Sequence, residues 1–91
     1  MDEYGFRCSL EEDENNLSEK GINSRISKGK KAEEILGMDF DTVVSSDSTM
    51  LSALETLQKY EDPSHNPMQN ALRKYYIFRN GKEFPRKKDF N

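Results

Sequence analysis

Two prolines, Pro63 and Pro67, separate two stripes of apolar residues at helical spacing, and this arrangement most narrowly limits what the chain can fold into. Ahead of them, Met50, Leu51, Leu54 and Leu57 share one helical face, and Ser46, Asp47 and Ser48 offer side-chain oxygens for an N-cap. The pattern predicts a helix over about 48–61, ended by Asp62-Pro63 because proline disfavours helical geometry in the residue before it. Asn66-Pro67 then restarts the pattern with a cap and a proline at the first helical position, and Met68, Ala71, Leu72 and Tyr75 fall on one face. Joined by Pro63 to Asn66, the two helices are expected to pair as a helical hairpin, with Met50, Leu54 and Leu57 against Met68, Leu72 and Tyr75.

The end of the second helix has two readings. Tyr75-Tyr76-Ile77-Phe78 favours strand, and Asn80-Gly81 suits either a primed hairpin turn or a helix C-cap. A helix through about residue 78 is the preferred reading. A hairpin across Asn80-Gly81, giving a small α+β fold with a C-terminal β-hairpin, is the alternative.

Upstream, the signals are shorter. Lys30 to Leu36 contains good helix formers, Ala32, Ile35 and Leu36 share a face, and Gly37 is a natural stop, although the lysines at the start oppose the helix dipole. Ile22 to Gly29, polar and basic and bounded by Gly21 and Gly29, reads as a linker. Tyr4, Phe6, Cys8 and Leu10 alternate, as on one face of an extended strand that adds to a partner's sheet edge, and Glu11 to Asn16 reads as solvated coil. Met38 to Val44 suggests a short strand or extended connector. The expected fold class is therefore mainly α: a small helical module over residues 30–80, made of the helical hairpin plus one short helix. A flexible acidic-then-basic arm (1–29) precedes it and a basic aromatic tail (81–91) follows, both disordered or ordered by partners.

Composition supports dependence on a partner. Leu, Ile, Val and Phe number eighteen in 91 residues, and a chain this short buries only about 60% of the surface its unfolded form exposes. The net charge of −3 conceals alternating blocks: −6 over residues 1–19, +5 over 20–31, −7 over 32–62 and +5 over 63–91. Blocks of this kind suit arms that meet complementary surfaces. One cysteine allows no internal disulfide, and the opening residues show no apolar run of signal-peptide length, so a nuclear or cytoplasmic location is expected. The longest apolar run, Tyr75 to Phe78, is far too short to span a bilayer, and no membrane association is expected. Asn16-Leu17-Ser18 matches a glycosylation acceptor only formally.

No catalytic set emerges. His65, the single histidine, lies in a turn-rich connection, and Arg7 beside Cys8 is offset by neighbouring acids and gives that thiol no activating field. Gly29-Lys30-Lys31 lacks the glycine spacing and the following Ser or Thr of a phosphate-binding loop. Asp39 and Asp41 lack the further ligands a calcium loop needs. Catalytic residues, cofactors, metals and a small-molecule substrate are therefore not expected. The anticipated role is a non-enzymatic protein-interaction module: an adaptor, an inhibitor or a small subunit of a larger intracellular complex. Its partner-binding candidates are Tyr4, Phe6 and Leu10 at the N-terminal end, and Tyr75, Tyr76, Phe78, Arg79, Phe84, Arg86, Lys87 and Lys88 toward the C-terminal end. The same C-terminal interleaving of cations and rings suits single-stranded nucleic acid, so a nucleic-acid-binding accessory protein is the alternative.

Overall fold

The computed structural model describes residues 1–12 and 18–85. These form five helices: α1 (Glu3–Glu11), α2 (Glu19–Leu36), α3 (Phe40–Val43), α4 (Asp47–Gln58) and α5 (Pro67–Asn80). The fold is mainly α, as the sequence predicts, and the described residues contain no strand.

Where side chains cap helix ends, local chemistry sets the boundaries. Ser46 accepts the Thr49 N–H and starts α4 at the expected place. The start of α5 is capped differently from the expectation. Asn66 makes no side-chain cap bond, and the Glu61 carboxylate reaches across the turn to accept the N–H groups of Met68 at 2.6 Å and Gln69 at 3.0 Å. At its other end α5 runs to Asn80, and Gly81, at φ 71°, donates its N–H to the Ile77 carbonyl. Gly81 is thus a left-handed C-cap, which settles the ambiguity in favour of helix over hairpin.

Three upstream expectations need correction. Tyr4 to Leu10 belong to a helix, α1, started by Asp2, whose side chain accepts the Gly5 N–H. Only Phe6 and Leu10, four residues apart, turn inward, and Tyr4 is 79% exposed. The segment read as a linker, Ile22 to Gly29, lies inside α2, whose buried stripe is Ile22, Ile26, Gly29 and Ala32. Gly29 is there for space: a β-carbon would stand 2.8 Å from Met1 Cε and 3.3 Å from Phe40 Cε2, with Ala71 Cβ of α5 just beyond. Residues 40–43, expected in extended form, make the single turn α3, with Asp39 accepting the Asp41 N–H and Glu33 of α2 accepting the Phe40 N–H.

The boundary expected at residue 29 therefore falls within one helix. Of the segment expected to be an arm, Phe6, Leu10, Ile22 and Ile26 belong to the same buried cluster as Leu54 and Leu72. The hairpin of α4 and α5 is present, but α5 packs most extensively on α2. The described part of the C-terminal tail also joins the module. Phe84 is buried, meets the Tyr76 ring edge-on at 5.2 Å, and has its carbonyl held by Arg73 Nη1 at 3.2 Å.

The centre of the core is aromatic. The ring of Phe6 lies 5.0 Å from Tyr75 in a T-shaped contact, and Phe40 and Phe78 flank Tyr75 at 5.5 and 5.4 Å. Among the described residues no buried side-chain nitrogen or oxygen lacks a hydrogen-bond partner.

Candidate protein-docking surface

An open groove runs between the end of α2 and the outer side of α4. Its floor and one wall are aliphatic: Ile35 and Leu36 come from the last turn of α2, Met38 from the loop that follows, and Val43 from α3. The other wall is α4, which offers Thr49, Ser52, Ala53 and Thr56 at successive helical offsets. The inward stripe of α4 is Met50, Ala53, Leu54 and Leu57, so the groove uses the adjacent, small-residue side of the same helix. The threonine hydroxyls are already engaged, Thr49 donating to the Val43 carbonyl at 2.7 Å and Thr56 to the Ser52 carbonyl at 3.0 Å. The groove holds about 170 Å³, below the roughly 300–1,000 Å³ of small-molecule sites.

Beside it lies a group of carboxylates. The Met1 ammonium is ion-paired with Glu33 at 3.1 Å, Asp39 at 2.5 Å and Asp41 at 3.8 Å. The hydrogen bond from that ammonium, with the Asp41 N–H, holds the Asp39 carboxyl below its usual value. Burial works against the ammonium itself, but bonds to Asp39 and Glu33 outweigh it and raise its pKa. Asp41 further accepts the Tyr75 hydroxyl and pairs with Arg79 at 3.2 Å. These carboxylates are thus engaged in holding α2, α3, α5 and the N-terminus together.

The residues expected to anchor a partner mostly do something else. Phe6, Leu10, Tyr75, Tyr76 and Phe84 are buried in the core, so in this fold their apolar surface is taken up within the chain. Burial and then Asp47 push the Tyr76 phenol above its ordinary range, and burial and then Asp41 do the same to Tyr75. Phe78 is half-buried between α1 and α5, and Arg79 stacks over its ring at 5.7 Å while pairing with Asp41. Tyr4 is exposed. Arg86, Lys87 and Lys88 lie outside the described residues.

A second, more polar cleft of about 260 Å³ brings Arg25 of α2 beside Arg73 and Lys74 of α5, with Glu83 and Phe84 at its edge. Of the C-terminal rings, Tyr76 and Phe84 are buried in the core, and Phe84 also lines this cleft. Sequence reasoning missed the groove. Its faint signals were Met38 just past a helix stop and the small-residue side of α4, neither of which shows on its own that the two lie together.

Among the described residues no helix is long and apolar enough to cross a membrane, and no three His, Cys, Asp or Glu side chains group as metal ligands. No protein-family model, curated protein or solved structure matches the chain.

Proposed function

We propose that this chain is a non-enzymatic protein-interaction module that works as an adaptor, an inhibitor or a small subunit of a larger intracellular assembly, and that it docks its partner at the α2–α4 groove. The observation that carries the reading is an apolar groove left open on a chain whose large aromatic residues otherwise pack mostly inward. Met38 is 38% exposed at its mouth, and apolar recesses of this kind receive the anchor side chains that dominate interface energetics.

The test is a paired capture. The intact tagged chain and its Ser52→Tyr variant, which fills the groove from an exposed position on α4, are compared for the proteins they retain from cell extract. A protein retained by the intact chain and lost by a folded Ser52→Tyr variant supports the reading. Identical retention by both excludes the groove as the docking site.

A further inference from the structure

We propose that Asn80 is a site of spontaneous covalent modification, in which its side-chain amide is hydrolysed through attack by the Gly81 backbone nitrogen, and that the C-cap of α5 gates the reaction. The proposal goes beyond the interaction reading and does not depend on it.

The chemistry starts from one dipeptide. Asn80 alone among the asparagines precedes glycine, and a residue without a side chain leaves its nitrogen free to approach the neighbouring carboxamide. Asn66 precedes a proline, which has no N–H to give up, and Asn23 and Asn70 lie inside α2 and α5. Once the Gly81 N–H has lost its proton to hydroxide, the nitrogen bonds to Asn80 Cγ. The Cγ–Nδ2 bond then breaks, and Nδ2 leaves as ammonia with a proton taken from water. The product is a five-membered succinimide. Water opens this ring at either carbonyl, giving aspartate or, with the main chain rerouted through the side chain, isoaspartate. The sum is one water consumed and one ammonia released.

In the fold both reacting groups are engaged elsewhere. Gly81 donates its N–H to the Ile77 carbonyl at 2.8 Å, which holds the proton that must leave. Asn80 Nδ2 donates to the Val44 carbonyl at 3.3 Å, which holds the carboxamide against the C-cap of α3. The gate is local, because Asn80 and Gly81 are exposed and stand at a helix end, where fraying is frequent. Opening of one turn frees nucleophile and carboxamide together.

The products do not fit the same place. The aspartate carboxylate has no N–H to offer the Val44 carbonyl, and it adds negative charge at the negative pole of α5. Isoaspartate inserts an extra main-chain carbon just before the left-handed cap at Gly81, which removes the spacing that sets its N–H on Ile77. Either product loosens the end of α5 from Val44.

The experiment incubates the full chain, folded in buffer and unfolded in guanidinium chloride, at neutral and mildly alkaline pH. Peptide mapping by mass spectrometry, with aspartate and isoaspartate forms separated, follows conversion at residue 80. Conversion is expected to be at least tenfold faster in the unfolded chain, to speed up with pH and to yield both products. Asn80→Gln, whose longer side chain closes a six-membered ring far less readily, should stay unconverted. Asn80→Asp, which makes the aspartate product directly, should speed amide exchange at Arg79 and Gly81 several-fold and leave Leu54 unchanged. No conversion at Asn80 in the unfolded chain overturns the site. Equal rates in folded and unfolded chains overturn the gate, and unchanged exchange in Asn80→Asp overturns the consequence for α5.

Discussion

The Tyr75 hydroxyl donates to Asp41 at 2.5 Å and accepts the Asp2 N–H at 2.7 Å, so one phenol on α5 ties the start of α1 to α3. Removing the oxygen alone tests that tie. Tyr75→Phe keeps the ring among Phe6, Phe40 and Phe78 but leaves the part-buried Asp2 N–H without its acceptor. The expected loss is about 1–2 kcal/mol in urea unfolding. Asp41→Asn in the Tyr75→Phe background should cost less than Asp41→Asn alone, and additive losses would show that the two groups do not act together.

Gly29 tests how closely α2 lies against its neighbours. Gly29→Ala gains helix propensity of up to about 1 kcal/mol against a crowded Phe40 ring and a movable Met1 terminus, and should be close to neutral. Gly29→Leu has no such room and should lose about 1–3 kcal/mol or more by overpacking. Thermal unfolding of the two variants measures the contrast. A stable leucine variant would mean that α2 and α5 do not pack this closely at residue 29.

Phe84 lies outside every helix, yet it is buried against Tyr76 and Arg73. Phe84→Ala should therefore cost about 3 kcal/mol, while Tyr4→Ala, at an exposed ring, should stay within about 0.5 kcal/mol. Equal effects in chemical denaturation would return residues 81–85 to the status of a free tail.

The Met1 ammonium and Asp39 give stability a pH window. The ammonium's pKa is raised in the fold, so its contribution is complete below its ordinary value of 8.0 and fades as pH climbs through the higher folded value. Asp39 is shifted the other way, so its contribution is complete above its ordinary 3.8 and fades as pH falls through the depressed folded value. Urea midpoints measured from about pH 6 to pH 9.5, short of the range where ordinary phenols titrate, should fall at the alkaline end for the free amine. They should stay flatter for a chain acetylated at Met1. Parallel curves would remove the ammonium from the account.

Legibility in the sequence follows how local each signal is. The start of α4 and the proline opening of α5 depend on neighbours a few residues away and appear where the sequence places them, whereas α4 stops at Gln58, short of the end expected at Asp62-Pro63. Tyr4, Phe6, Cys8 and Leu10 fit a period of two as well as they fit an i, i+4 pair, and only packing against α5 decides between these. Gly29 looks like a helix breaker until another helix crosses it at Ala71. The groove is less legible still. The Ser and Thr side of α4 resembles any solvated helix face, and it becomes a wall only because the end of α2 folds beside it. Nor does composition reveal which aromatic residues the core takes up, which is why Phe6, Tyr75, Tyr76 and Phe84 read as interface anchors.

The contact between Phe6 and Tyr75 also bears on how the chain is made. A ribosome releases residues in order, and Tyr75, the ring at the centre of the cluster, comes sixty-nine positions after Phe6. Until α5 emerges, Phe6, Leu10, Ile22 and Ile26 have no finished interior to enter. The nascent chain must keep these groups from sticking elsewhere until α5 has been made. Folding then has to close α1 on α5, and a product truncated before Tyr75 would leave the ribosome with its aromatic centre unformed.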